Sequence, residues 1–180
     1  MMNTRILMRV ALAVVYAIGL SSCNLVAPLV RTALPFAGIK MAMACLPEEA
    51  MIDTPAGARA VRDITAGDVV TGYRGHPVIV QQKHDYLEQA STVFIKVVFD
   101  DGASVEACGW HRLAGTRLQD LEIGQGLAGR RVAALSTRCG IKRSYDLLTE
   151  DEGYRIDGIP VNSMIEEMHA AAAGLPRDKR

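Results

Sequence analysis

The chain has 180 residues, 49% of them hydrophobic, and its 20 basic and 20 acidic side chains cancel to a net charge of zero. That length holds one domain with extensions, and the balanced charge gives no electrostatic footprint for nucleic acid, which is excluded as an expected partner. Four cysteines without a C-x-x-C pair are too few for a disulfide scaffold and lack structural-zinc spacing, so neither metal nor organic cofactor is expected.

Residues 1–23 read as an export signal. Arg5 and Arg9 supply the positive flank, and the apolar run from Val10 to Leu20 is short for a bilayer span. The run ends in Leu20-Ser21-Ser22-Cys23, which resembles a bacterial lipobox: an apolar residue and two small ones before the cysteine that receives the lipid. The alternatives are ordinary signal cleavage nearby or an uncleaved anchor. The resemblance implies lipidation at Cys23 and a membrane partner through the lipid chains, each buried methylene contributing about 0.8 kcal/mol. Asn24 stands where an inner-membrane retention pattern has aspartate, so a periplasm-facing site at the outer membrane is the expected location. Residues 24–44 then read as a tether. Pro28 and Pro35 interrupt any long helix, and Arg31 and Lys40 argue against a second span.

From Cys45 to Ser163 the chain reads as all-β. Met51-Ile52 and Val61-Arg62-Asp63-Ile64 are short candidate strands around a turn built on Pro55 and Gly57, and Gly67-Asp68 turns into Val69-Val70. Val78-Ile79-Val80 is short and β-branched, and Thr92 to Phe99 is the strongest strand signal. Asp100-Asp101-Gly102 is a hairpin turn leading to a return strand at Ser104 to Ala107. Leu118 to Ile123 is turn-rich, and Arg131 to Leu135, Tyr145 to Leu148 and Tyr154 to Ile156 are further strands. Helix propensity emerges only over Met164 to Ala173, ahead of Gly174-Leu175-Pro176 and a basic end over 177–180.

The chemistry-bearing pattern begins at Ala44-Cys45-Leu46-Pro47, with Gly67-Asp68-Val69-Val70 some twenty residues on. Cys108-Gly109-Trp110-His111 follows the Asp-Gly hairpin, and Ser144-Tyr145-Asp146-Leu147 and Gly158 to Ser163 close the domain. Together these resemble the Hint family, the self-processing domain of hedgehog proteins and inteins, over about two-thirds of the chain. The resemblance implies a horseshoe of short, mostly antiparallel strands over 45–163, with a short helix and tail over 164–180.

It also implies roles. Cys45 is the nucleophile that attacks the Ala44 carbonyl in an N-to-S acyl shift, a single-turnover reaction that needs oxyanion stabilisation and protonation of the departing nitrogen. The bland reading of Cys45 is a buried or disulfide-bonded cysteine. His111 stands where the family has the histidine that protonates or polarises the scissile amide, work suited to an imidazole titrating near neutrality. Cys108 replaces the family's threonine, and a thiol is a weak donor. A disulfide of Cys108 with Cys45, blocking the nucleophile, is what the family geometry implies in an oxidising envelope; Cys139 is the other candidate partner. Asp85 matches the acid that activates the second nucleophile in hedgehog-type domains, with His84 able to share that role and a solvated turn acid as the alternative. Asn162-Ser163 matches an intein's C-terminal cleavage site, but Val161 replaces the penultimate histidine, so splicing is not the expected outcome. The acyl acceptor is open: water, a lipid hydroxyl or an amine. The competing reading, from a different class, is a degenerate Hint fold serving as an inert envelope lipoprotein or binding module.

Overall fold

The computed structural model describes residues 46–167. The expected signal segment with Cys23, the expected tether, Cys45 and residues 168–180 lie outside the described residues, as does most of the expected C-terminal helix, of which 164–167 are helical. Among the described residues no helix is long and apolar enough to cross a membrane.

The described chain is all-β. Its strands are β1 (Leu46–Pro47), β2 (Met51–Ile52), β3 (Arg59–Ala60), β4 (Val69–Thr71), β5 (Pro77–Leu87), β6 (Phe94–Phe99) and β7 (Ser104–Cys108). They continue as β8 (Arg112–Leu113), β9 (Thr116–Arg117), β10 (Gly126–Leu127), β11 (Arg130–Arg138), β12 (Arg143–Thr149), β13 (Gly153–Ile156) and β14 (Ile159–Asn162). Three sheets have four strands each, in the orders β1-β12-β5-β4, β10-β11-β6-β7 and β13-β14-β8-β9, and β2 pairs β3 in a fourth. The pairings are antiparallel throughout.

Local sequence explains the hairpins. Between β6 and β7 the Asp101 carboxylate accepts the Ala103 amide at 3.1 Å, and Gly102 sits at φ 87°. Between β13 and β14 the loop is Asp157-Gly158, with φ 50° and 72°, the type I′ geometry that matches the twist of its strands. Asp53 fixes that loop from the start of the domain, its carboxylate accepting the amides of Asp157 at 3.1 Å and Gly158 at 2.7 Å.

One expected strand is corrected. Val61 to Asp63 forms a 3₁₀ turn, preceded by the short β3. Val61 and Ile64 are both fully buried, and a spacing of three puts them on one side of a 3₁₀ turn, whereas a strand would bury alternate residues. The strand expected at Val78 to Val80 extends to Leu87. From Gln81 to Asp85 its residues are polar, and the ladder to β12, from Leu148↔Gln82 to Arg143↔Leu87, holds this half of the strand extended.

The apolar faces meet in one core that includes Leu46, Ile52, Val97, Phe99, Leu113, Leu147, Tyr154 and Val161. This core draws the two ends of the domain together. Leu46 of β1 pairs with Tyr145 of β12, and β1 also packs on β7. Val161 of β14 pairs with Leu113 of β8. Gly153, opposite Asn162, allows the closest approach: a Cβ there would stand 2.0 Å from the Val161 carbonyl oxygen.

Candidate functional site

β7 ends at Cys108, and Cys108 to His111 form a four-residue turn in which the His111 amide donates to the Cys108 carbonyl at 3.0 Å. Such a turn keeps its first and last Cα atoms within about 7 Å. The His111 carbonyl accepts the Leu118 amide at 2.9 Å, so the histidine backbone is fixed on both sides. Its ring is fully buried, and neither ring nitrogen completes a hydrogen bond among the described residues. Burial pushes the imidazole down to about 4, and the Asn162 backbone carbonyl, close enough to favour the charged ring, offsets only part of this. The expectation of a group titrating near neutrality is thereby corrected: at pH 7 His111 is a neutral imidazole, because desolvation outweighs its one favourable neighbour.

β8 continues directly from His111, and its pairing with β14 brings the histidine beside Asn162-Ser163. The Asn162 side-chain carbonyl accepts the Gly115 amide at 3.0 Å. Ser163 is fully buried, and its hydroxyl accepts the Glu166 amide at 3.3 Å. Asp146, also fully buried, reaches the same segment from β12. One of its oxygens accepts the amides of Met164 at 2.7 Å and Ile165 at 3.1 Å; the other accepts the Tyr154 hydroxyl at 2.8 Å and the Leu147 amide at 2.9 Å. Ser163 and Asp146 thus satisfy the first three free amides of the helix that starts at Met164. The motif Ser144-Tyr145-Asp146-Leu147 gave Asp146 no role of its own; the structure makes it the anchor of the segment that follows Ser163. Its signal was an acid inside the apolar strand Tyr145-Asp146-Leu147-Leu148. Burial raises its pKa to about 7, although all four donors lower it.

β5 separates the two residues proposed for the second step. Leu46, Tyr145 and Asp85 lie in one row across β1, β12 and β5, and Asp146 pairs with His84 in the next. Side chains alternate along a strand, so Asp85 shares the face of Tyr145 and Leu147, and His84 shares the face of Asp146. Asp85 is not a turn residue: it is a half-exposed strand residue paired with the Arg143 guanidinium. On the other face His84 Nδ1 meets the Tyr86 hydroxyl at 2.8 Å.

Cys108 is 4% exposed, and both Cys108 and Cys139 are disulfide-bonded. Phe94 pairs with Cys108 on one side and with Arg138 on the other. Cys108 and Arg138 therefore stand in one row across β7, β6 and β11, about two strand spacings apart, with Cys139 directly after that row. Cys45, one peptide bond before the buried Leu46, and Cys23, the expected lipidation residue, lie outside the described residues. Among the described residues no cluster of His, Cys, Asp or Glu could hold a metal ion.

A core that joins both ends of the domain through curled antiparallel sheets is the architecture of Hint-type self-processing domains, and the chain has that fold. It is similar to the bacterial intein-like domain from Clostridium thermocellum, at 16% identity and a TM-score of 0.57, over 67% of this chain and 99% of that one. It is likewise similar to a DnaB intein from Synechocystis sp. PCC 6803, at 11% identity and a TM-score of 0.56, over 67% of this chain and 98% of that one. The gp41-1 intein matches at 15% identity and a TM-score of 0.54, over 66% of this chain and 97% of that one. No family model and no curated protein matches the sequence.

Proposed function

We propose that the domain cleaves its own Ala44–Cys45 bond. The carrying observation is the convergence of the first described strand with β7 and the turn that holds Cys108 and the fully buried His111. The Cys45 thiol gives up its proton and attacks the Ala44 carbonyl carbon, the C–N bond breaks, and that same proton ends on the nitrogen to leave an amine beside a new thioester. A neutral His111 serves this step through its N–H, polarising the amide without ever being the stored acid. Cys108, once reduced, presents a thiol where related domains have a hydroxyl; as a disulfide it carries no S–H to donate. A bond between Cys108 and Cys45 would hold the nucleophile silent until reduction.

Water, an alcohol or an amine then resolves the thioester. Lipidation at Cys23 would anchor the uncleaved chain at the envelope, facing the periplasm, and cleavage would release the domain from that anchor. An inert module is the second reading, and two observations favour it: the disulfide at Cys108 and the Ser163 hydroxyl engaged as a helix cap.

The deciding experiment is the intact mass of the full chain from envelope fractions, with and without reductant, beside Cys45→Ala. A soluble species beginning at Cys45, absent from the variant, is the expected result. Chains of one mass in both proteins, even after reduction, would establish the inert module instead.

A further inference from the structure

The hairpin that begins directly after His111 contains a residue its own sequence does not favour. β8 and β9 are joined by the two-residue loop Ala114-Gly115, with φ 44° and 83°. Both positions of such a loop lie in the left-handed region. Glycine enters that region without steric cost, whereas an alanine methyl crowds the neighbouring backbone. Ala114 keeps this conformation because its surroundings impose it.

The restraint comes from β14. The Pro160 carbonyl accepts the Ala114 amide at 2.9 Å, and the Asn162 side-chain carbonyl accepts the Gly115 amide at 3.0 Å. β14 is itself firmly held. Asn162 pairs with Gly153, where a Cβ would stand 2.0 Å from the Val161 carbonyl oxygen, and the Ser163 amide donates to the Glu152 carbonyl at 3.1 Å. A fixed strand thus presents Asn162 to a strained loop. The backbone carbonyl of the same Asn162 lies close to the His111 ring. One residue therefore meets the histidine through its main chain and restrains, through its side chain, the hairpin that continues from it.

We propose that Asn162 is a positioning residue for His111: its carboxamide clamps the Ala114-Gly115 loop, and the clamped hairpin holds the imidazole beside the Asn162 carbonyl. The use of this clamp in cleavage before Cys45 rests on the reading above, whereas the clamp itself is built entirely from described residues. The role differs from that of an intein's last asparagine, whose side-chain nitrogen attacks its own carbonyl to cut the chain. Here the carboxamide oxygen is committed to Gly115, and the side chain also lies beside Tyr73. Burial and the charge of Glu152 push the Tyr73 phenol up, and the Asn162 side chain offsets part of the rise. Bridged in this way, the side chain stays out of chain cleavage and the 162–163 bond stays whole.

The test uses the full chain in detergent with isotope-labelled histidine rings, followed by NMR, and His111→Gln assigns the His111 signal. In Asn162→Ala the His111 midpoint should rise from about 4 toward 6.5 by at least about 1 pH unit as water reaches the loosened ring, while the other histidine signals stay in place. Adding Ala114→Gly should reverse at least about half of that shift, because glycine adopts the loop without a clamp. An unmoved midpoint in Asn162→Ala would overturn the proposal. A shift that Ala114→Gly leaves untouched would do the same, and so would a shift shared by every histidine, which would reduce Asn162 to a support for the fold. Intact mass of the same samples gives a second check: a wild-type product ending at Asn162 would make that residue a nucleophile and end the clamp reading. A wild-type chain that stays whole before Cys45 would remove the proposed cleavage alone and leave the clamp to the ring titration.

Discussion

Two fully buried titratable groups, His111 and Asp146, give opposite dependences of stability on pH, and replacing either one uncovers the other. His111 titrates at about 4 in the fold against 6.5 for a free imidazole. Its contribution to stability is complete above 6.5 and is lost as pH falls toward about 4, since only the unfolded chain takes up the proton in that window. Asp146 titrates at about 7 in the fold against 3.8 when free. Its contribution is complete below 3.8 and is lost as pH rises toward about 7, because the fold keeps a proton that the unfolded chain releases. At 1.36 kcal/mol per pH unit the full swings are roughly 3 kcal/mol for His111 and roughly 4 kcal/mol for Asp146. Between about pH 4.5 and 6.5 they nearly cancel in the wild type. Asp146→Asn should therefore gain stability as pH rises through that window, and His111→Gln should lose it. The gap between the two variants should shift by about 5 kcal/mol, read from urea unfolding at several pH values. Parallel stability curves, with the gap constant to about 1 kcal/mol, would show that neither group is desolvated as described.

Two other substitutions test the closure of the domain. Gly153→Ala places a methyl group 2.0 Å from the Val161 carbonyl oxygen and should cost about 3 kcal/mol; a denaturation midpoint equal to wild type would mean that β13 and β14 are not in this register. Ser163→Ala should cost about 1 kcal/mol and speed hydrogen exchange at the Glu166 amide, while the Met164 and Ile165 amides stay protected by Asp146. Unchanged exchange at Glu166 would remove Ser163 as the cap.

Much of the fold was legible in the sequence because its strands are written in local chemistry. Asp101-Gly102 sets the β6–β7 hairpin, and the β-branched and aromatic run that ends at Phe99 forms a strand on its own terms. Cys108 and His111 stood out only through their resemblance to the Hint pattern after that hairpin; the turn that joins them comes from the structure. The second half of β5 was not legible: Gln81-Gln82-Lys83-His84-Asp85 has no strong preference for a strand, and only the ladder supplied by β12, more than fifty residues later, extends it.

That distant pairing also decided the chemistry. The sequence by itself established the turns and the apolar runs, while Cys45 as candidate nucleophile comes from the family resemblance. Whether Asp85 or His84 faces Asp146 depends on register, since a shift of one residue exchanges the faces of a strand. The protonation of His111 and Asp146 was equally beyond local reading. Asp146 at least stands inside an apolar strand, but only the complete burial of both residues by elements far along the chain moves an imidazole down and a carboxyl up.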